Sequence, residues 1–155
     1  MARKKELSSP FSTGAGGANF EAHVQSSFVA LMLTGGYAPF LPNWPIVEVK
    51  LQAKIDGYET DDLVVCVEKP DKKEKRKLLG QVKHRISITA SDSIFAEVMK
   101  AAWDDFNNVQ LFDKNRDAIA LIVGPLTKTD SEVTELLNYA RAFRNNFTGF
   151  FTNVE

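Results

Sequence analysis

The sequence predicts an α/β domain, on three observations. Apolar residues recur at helical spacing in two separated stretches, near residues 20–34 and 93–106. Residues 47–51 alternate apolar and polar as a half-exposed strand does. Continuous apolar runs, Leu63 to Val67 and Ala118 to Val123, are bounded by turn and charged residues and suit buried strands. With a third amphipathic stretch after residue 130, the elements read αβββαβα.

Taken in order, Asn19 can cap a first helix from Phe20 to Thr34, in which Phe20, Val24, Phe28 and Leu31 form one stripe and Gly35-Gly36 ends it. Pro39, Pro42 and Pro45 mark a connection to a strand in which Val47, Val49 and Leu51 share one side and Glu48, Lys50 and Gln52 the other. A second strand spans Asp62 to Glu68 and a third Leu78 to Ile88, with the charged tip KPDKKEKRK between them. A second helix, Ser93 to Phe106, must bury Phe95, Met99, Ala102 and Phe106, a stripe widened by Ile94, Val98 and Ala101. Ala118 to Val123, bounded by Asp117 and by Gly124-Pro125, is the expected central strand. The last helix starts near Asp130, with a capping box from Thr129 to Glu132, and turns Val133, Leu136, Leu137, Ala140 and Phe143 inward.

Composition narrows the functional classes. A chain of 155 residues, 44% hydrophobic, 25% charged and 10% aromatic, fits one folded domain and can bury roughly 70% of the surface its unfolded form exposes. Residues 1–18, basic and then rich in Ser and Gly, read as an arm, and 19–155 as one domain. The lone Cys66 excludes a disulfide framework and a cysteine zinc site, which points to a reducing, cytoplasmic setting. The start MARKKELSSP lacks the apolar stretch of a secretory signal, and no apolar run approaches the roughly 20 residues of a membrane span. Lys and Arg total 19 against 20 for Asp and Glu, so attraction to a polyanion must come from a local patch.

The residues that can carry chemistry lie at strand ends. Asp62 stands immediately before the apolar run, a position that suits a metal ligand. Gln81 and Lys83, two apart in the third strand, project from one face while Val82 points into the opposite layer. Two polar side chains within a strand bounded by Leu78-Leu79 and Ile86 cost desolvation energy unless paired, which predicts that Asp62, Gln81 and Lys83 meet.

Glu21 in the first helix, Asp62 opening a strand and Gln81-x-Lys83 in the next resemble the E...D...(D/E/Q)xK pattern of PD-(D/E)XK nucleases. The element order is similar to that family's restriction-endonuclease-like αβββαβα core, a mixed central sheet flanked by helices. The strings GGANFEAHVQ, TDDLVV and LLGQVKH further resemble the double-stranded DNA endonuclease domains at the N-terminus of bacterial anti-phage effectors, CBASS nucleases and nuclease-bearing STAND or NACHT ATPases. Gln81 departs from the commoner Asp or Glu and removes one ligand charge.

The resemblance implies a Mg²⁺-dependent endonuclease, Mn²⁺ substituting, with duplex DNA as substrate. It also implies homo-oligomerisation in a longer protein whose C-terminal sensor or ATPase module lies outside this chain. Asp62, the Gln81 amide oxygen, the Val82 carbonyl and Glu21 would be the metal's ligands. Lys83 would orient the attacking water. Asp61 is the reserve ligand should the register slip by one residue.

Each assignment has a plainer rival. The Asp62, Gln81 and Lys83 set also reads as a structural network in a catalytically inactive nucleic-acid-binding or oligomerisation module, and the same metal site would serve an RNase. Glu21 also reads as a favourable anion in the first helical turn. Lys69, Lys72, Lys73, Lys75, Arg76 and Lys77 are either a solvated hairpin tip or a phosphate-contacting patch near the cleft, with Arg3, Lys4 and Lys5 adding to it. His23 and His84 have no histidine partner at metal-ligand spacing, Gly14 to Gly17 lack the Lys of a phosphate loop, and Trp103 and Phe106 read as core.

Overall fold

Hairpin and crossover connections arrange four strands as one mixed sheet in the computed structural model, which describes residues 16–71, 73–89 and 91–124 and positions 133, 134 and 138. The elements are α1 (Gly16–Thr34), β1 (Ile46–Leu51), a 3-10 turn (Ala53–Asp56), β2 (Leu63–Glu68), β3 (Lys75–Lys83), α2 (Ser93–Asn107) and β4 (Ala118–Val123). The spatial order is β1-β2-β3-β4. The first three strands pair antiparallel, and β4 joins β3 in parallel after the α2 crossover.

The α1 stripe seats Phe28 in the core beside Val24, Leu31 and Met32, on the sheet face made by Leu63, Val65, Val67 and Leu78. The helix ends where Gly35 takes φ 73°, a left-handed conformation that costs glycine nothing, and Gly36 N–H closes on the Leu31 carbonyl at 2.7 Å. The opposite face is filled by Ala53, Tyr58, Val64, Leu79 and Phe112. Leu63, Val64, Val65, Val67, Leu78 and Leu79 are each at most 1% exposed, so β2 and β3 are covered on both sides.

Several boundaries differ from expectation. Of the arm expected over residues 1–18, positions 1–15 lie outside the described residues, while Gly16, Gly17 and Ala18 are helical, so Asn19 is inside α1 and does not cap it. Tertiary contact overrides the cost of about 1 kcal/mol per helical glycine: the first turn packs against the end of β3, with the Phe20 and His84 rings 5.4 Å apart. In β1 the register shifts between Ile46 and Glu48, so a bulge turns Val47 outward, 43% exposed.

β3 runs from Lys75 to Lys83 in place of 78–88. Its start is drawn back by pairing of Lys75 with Glu68, and its end falls where β4 gives out at Val123. Gly124 N–H bonds the Lys83 carbonyl at 3.2 Å, and a side chain at Gly124 would strike the His84 carbonyl at 2.5 Å. β4, expected to be central, is an edge strand among the described residues, with all six positions half-buried. The crossover adds it beside β3, which already has β2 on its other side.

In α2 the expected stripe is only partly covered. Val98 is the buried apolar residue, while Met99 is 52% and Phe106 38% exposed, because the helix leans chiefly on β4 at the edge of the sheet. Asp92, not foreseen, caps it through Phe95 N–H at 2.9 Å. Of the third expected helix, Val133, Thr134 and Asn138 are helical, and Leu136, Leu137, Ala140 and Phe143 lie outside the described residues. No helix among the described residues is long and apolar enough to cross a membrane.

Candidate active site

β2 begins at Leu63, opposite Gly80, so residues 81–83 of β3 extend past it and their peptide groups on that side meet no strand. Asp62 fills this gap. Its Oδ2 accepts from Gln81 Nε2 at 2.5 Å and from Val82 N–H at 2.7 Å, and the Lys83 ammonium stands 3.5 Å away. Residues 81 and 83 share a face, as the two-residue spacing requires, and Val82 turns towards the α1 side. The three predicted residues therefore converge.

Burial makes this convergence costly unless satisfied. Asp62 is 7% and Gln81 8% exposed, and a carboxylate so enclosed needs the backbone donor, the amide and the ammonium that surround it. All three partners reach Oδ2, which leaves Oδ1 without any of these bonds. Because Gln81 donates through its nitrogen, its amide oxygen is turned away from Asp62 Oδ2. Val82 presents its carbonyl to the same side as its N–H, where β2 has not begun and no strand among the described residues pairs with it.

Glu21 is tied to this cluster indirectly. Gln25 Nε2 donates both to Glu21 Oε1 and to the Asp62 carbonyl, each at 2.9 Å, and Gln52 Nε2 reaches the same Glu21 oxygen at 2.5 Å. Glu21 lines a cavity of about 360 Å³ with Gly16, Gly17, Val82, Lys83 and Arg85 on the α1 side. On the α2 side a second cavity, about 280 Å³, is lined by Gln81, Lys83, Asp61, Glu97, Glu59 and Asp104, among others. Lys83 borders both.

Strand alternation, were it to extend to residue 61, would turn Asp61 to the face opposite Asp62. Asp61 lines the α2-side cavity, because residues 61 and 62 precede β2 and alternation does not govern them. Its carbonyl accepts from Ala53 N–H at 2.7 Å. Sequence reasoning missed Gln25, Gln52, Glu97, Arg85 and Asp105. Gln25 was legible, lying one helical turn after Glu21; the others owe their places to residues remote in sequence.

The basic hairpin lies elsewhere. Lys77 is six residues from Lys83 along β3, roughly 20 Å at the rise of a strand, so the patch is at the far end of the strand from the site. Four of its cations are also paired, Lys75 with Glu68 at 3.7 Å, Arg76 with Glu74 at 2.7 Å, Lys77 with Asp117 at 3.7 Å and Lys69 with Asp71 at 3.7 Å, while Lys73 is exposed. Lys72, like Arg3, Lys4 and Lys5, lies outside the described residues. Arg85, exposed at the α1-side cavity, makes no ion pair among the described residues.

The donor set can be weighed against a hard divalent cation. Among the described residues no three His, Cys, Asp or Glu side chains converge as a metal-holding group. One carboxylate, one side-chain amide and one backbone carbonyl group nonetheless belong to residues gathered at one strand end, and Mg²⁺ needs few protein oxygens because it keeps several waters. The residues fit such an ion with a single charged ligand. No family model matches the chain, and no curated protein or solved structure matches it.

Proposed function

We propose that the chain is a metal-dependent nuclease domain of the restriction-endonuclease-like, PD-(D/E)XK type, cutting double-stranded DNA as the effector part of an anti-phage defence protein. The observation that carries this reading is the meeting of Asp62, Gln81, Val82 and Lys83 at one strand end. The αβββαβ order of the described elements is compatible with that fold.

Asp62, the Gln81 amide oxygen and the Val82 carbonyl would hold Mg²⁺, with Glu21 reaching it through water. When bound, the ion supplies Lewis-acid polarisation of a phosphate oxygen and a water of lowered pKa. Lys83 does the chain's own chemistry. Its ammonium, 31% exposed and held by Asp62, faces both cavities, where it can orient the attacking water and offset charge that grows on the phosphorane. Arg85 offers the neighbouring phosphate a guanidinium. Because both strands of a duplex must be cut, two such sites from two copies of the chain would act together.

A second reading, a non-catalytic nucleic-acid-binding or oligomerisation module, is favoured by the lack of a multi-carboxylate cluster among the described residues. Supercoiled plasmid with Mg²⁺ separates them. Wild-type protein is expected to nick the plasmid, and Lys83→Ala to slow nicking by roughly 10²–10⁴-fold, the contribution typical of a positioned proton-transfer group. Equal nicking by both proteins refutes the assigned chemistry; binding with no cleavage at any metal concentration favours the second reading. Parallel reactions on single strands and structured RNA test whether the chain is an RNase.

A further inference from the structure

Asp105 is 1% exposed, yet it lies in the last turn of α2, where the helix dipole opposes a negative charge and burial strips it of water. Two local costs are thus accepted at one residue. Its carboxylate uses both oxygens across a long sequence gap: Oδ1 accepts from Glu59 N–H at 3.0 Å and Oδ2 from Thr60 N–H at 2.6 Å. These are the residues immediately before Asp61 and Asp62.

The backbone at 59–62 lies outside the sheet ladder, which starts only at Leu63. Its position therefore rests on separate anchors: Asp105 at 59 and 60, Ala53 N–H at the Asp61 carbonyl, and Gln25 at the Asp62 carbonyl. Asp105 is the only one of these anchors to come from α2, the helix that supplies Glu97 to the α2-side cavity. Resting on the nuclease reading above, we infer that Asp105 is a positioning residue of the site, fixing the Asp61-Asp62 segment so that the Asp62 carboxylate is presented to the metal.

The test compares wild type with Asp105→Asn, whose amide keeps the shape but sets an N–H group against one of the two backbone donors. Mn²⁺ binding is measured by calorimetry, and the Mg²⁺ dependence of plasmid nicking alongside it. Outer-shell partners of metal ligands typically contribute 10–100-fold in affinity or activity, so the Mn²⁺ Kd of the variant is expected to rise by about that factor. Nicking should recover at high Mg²⁺. Amide hydrogen exchange at 59–62 should quicken while β2 and β3 stay protected, which separates the local effect from unfolding. Should wild type bind and cut while Asp105→Asn merely melts at a lower temperature with an unchanged Kd, the positioning role is overturned and the nuclease reading stands. Should wild type neither bind Mn²⁺ nor cut, both fall.

Discussion

Burial and a neighbouring carboxylate decide the behaviour of single residues here, and Cys66 gives a direct reading of both. Desolvation raises its thiol above the ordinary range, and Glu48, nearby in charge and by hydrogen bond, raises it further. At pH 8 the folded protein should react with iodoacetamide distinctly more slowly than the urea-unfolded chain, as mass spectrometry would show. The sign follows from the direction of the shift. The folded thiol keeps its proton at pH values where the unfolded one has lost it, so this contribution to stability is present below about pH 8.5 and fades as pH rises through the folded value. Equal alkylation rates in both states would contradict the half-buried placement. Asp62 is buried as well, and its burial is satisfied by an amide, a backbone N–H and an ammonium gathered from β3.

At the level of elements, α2 depends on its cap. Asp92 Oδ1 accepts from Phe95 N–H, and Oδ2 from Ser87 N–H at 3.2 Å; the bond to Phe95 is the main cause that lowers its carboxyl below the usual value. A lowered folded pKa stabilises the fold above the unfolded pKa and is lost as pH falls through the folded one. Asp92→Ala is therefore expected to melt below wild type at pH 7, and the gap should close as the pH drops below about 4. A melting difference that persists unchanged in acid would mean that the charge is not what caps the helix. An Asp directly before an apolar helical stripe is a legible cap signal, and the helix starts at Ser93, where that stripe predicts.

Across the whole molecule, charge is distributed so that the hairpin and the candidate site behave differently. The chain carries 19 basic and 20 acidic residues, and Lys75, Arg76 and Lys77 of the hairpin are each matched by a carboxylate. Among the described residues lining the α1-side cavity, Lys83 and Arg85 face one carboxylate, Glu21, with Lys83 also paired to Asp62. Arg85→Ala is expected to weaken duplex binding about uniformly across sequences and to reduce the salt slope by roughly one counterion. Lys77→Ala should change binding little. Fluorescence anisotropy at several salt concentrations measures both, and the reverse ranking would return the phosphate contact to the hairpin.

The chain's own order of residues determined the helical stripes, the apolar cores of β2 and β3 and the polar spacing of Gln81 and Lys83, because these follow from periods of 3.6 and 2 that act within a few residues. Asp62, Gln81 and Lys83 were found together because buried polar groups must be paired, a constraint that holds before any fold is known. Tertiary structure alone decided the rest. Which strand is central depended on the crossover placing β4 outside β3, and where β3 ends depended on where β2 and β4 run out. The hairpin was displaced from the site by the length of β3, and the anchors on residues 59–62 come from Asp105, Gln25 and Ala53, separated from them by as many as 46 residues. Hydrogen bonds across such gaps leave no periodic trace in a sequence, since only the closed fold brings donor and acceptor within 3 Å.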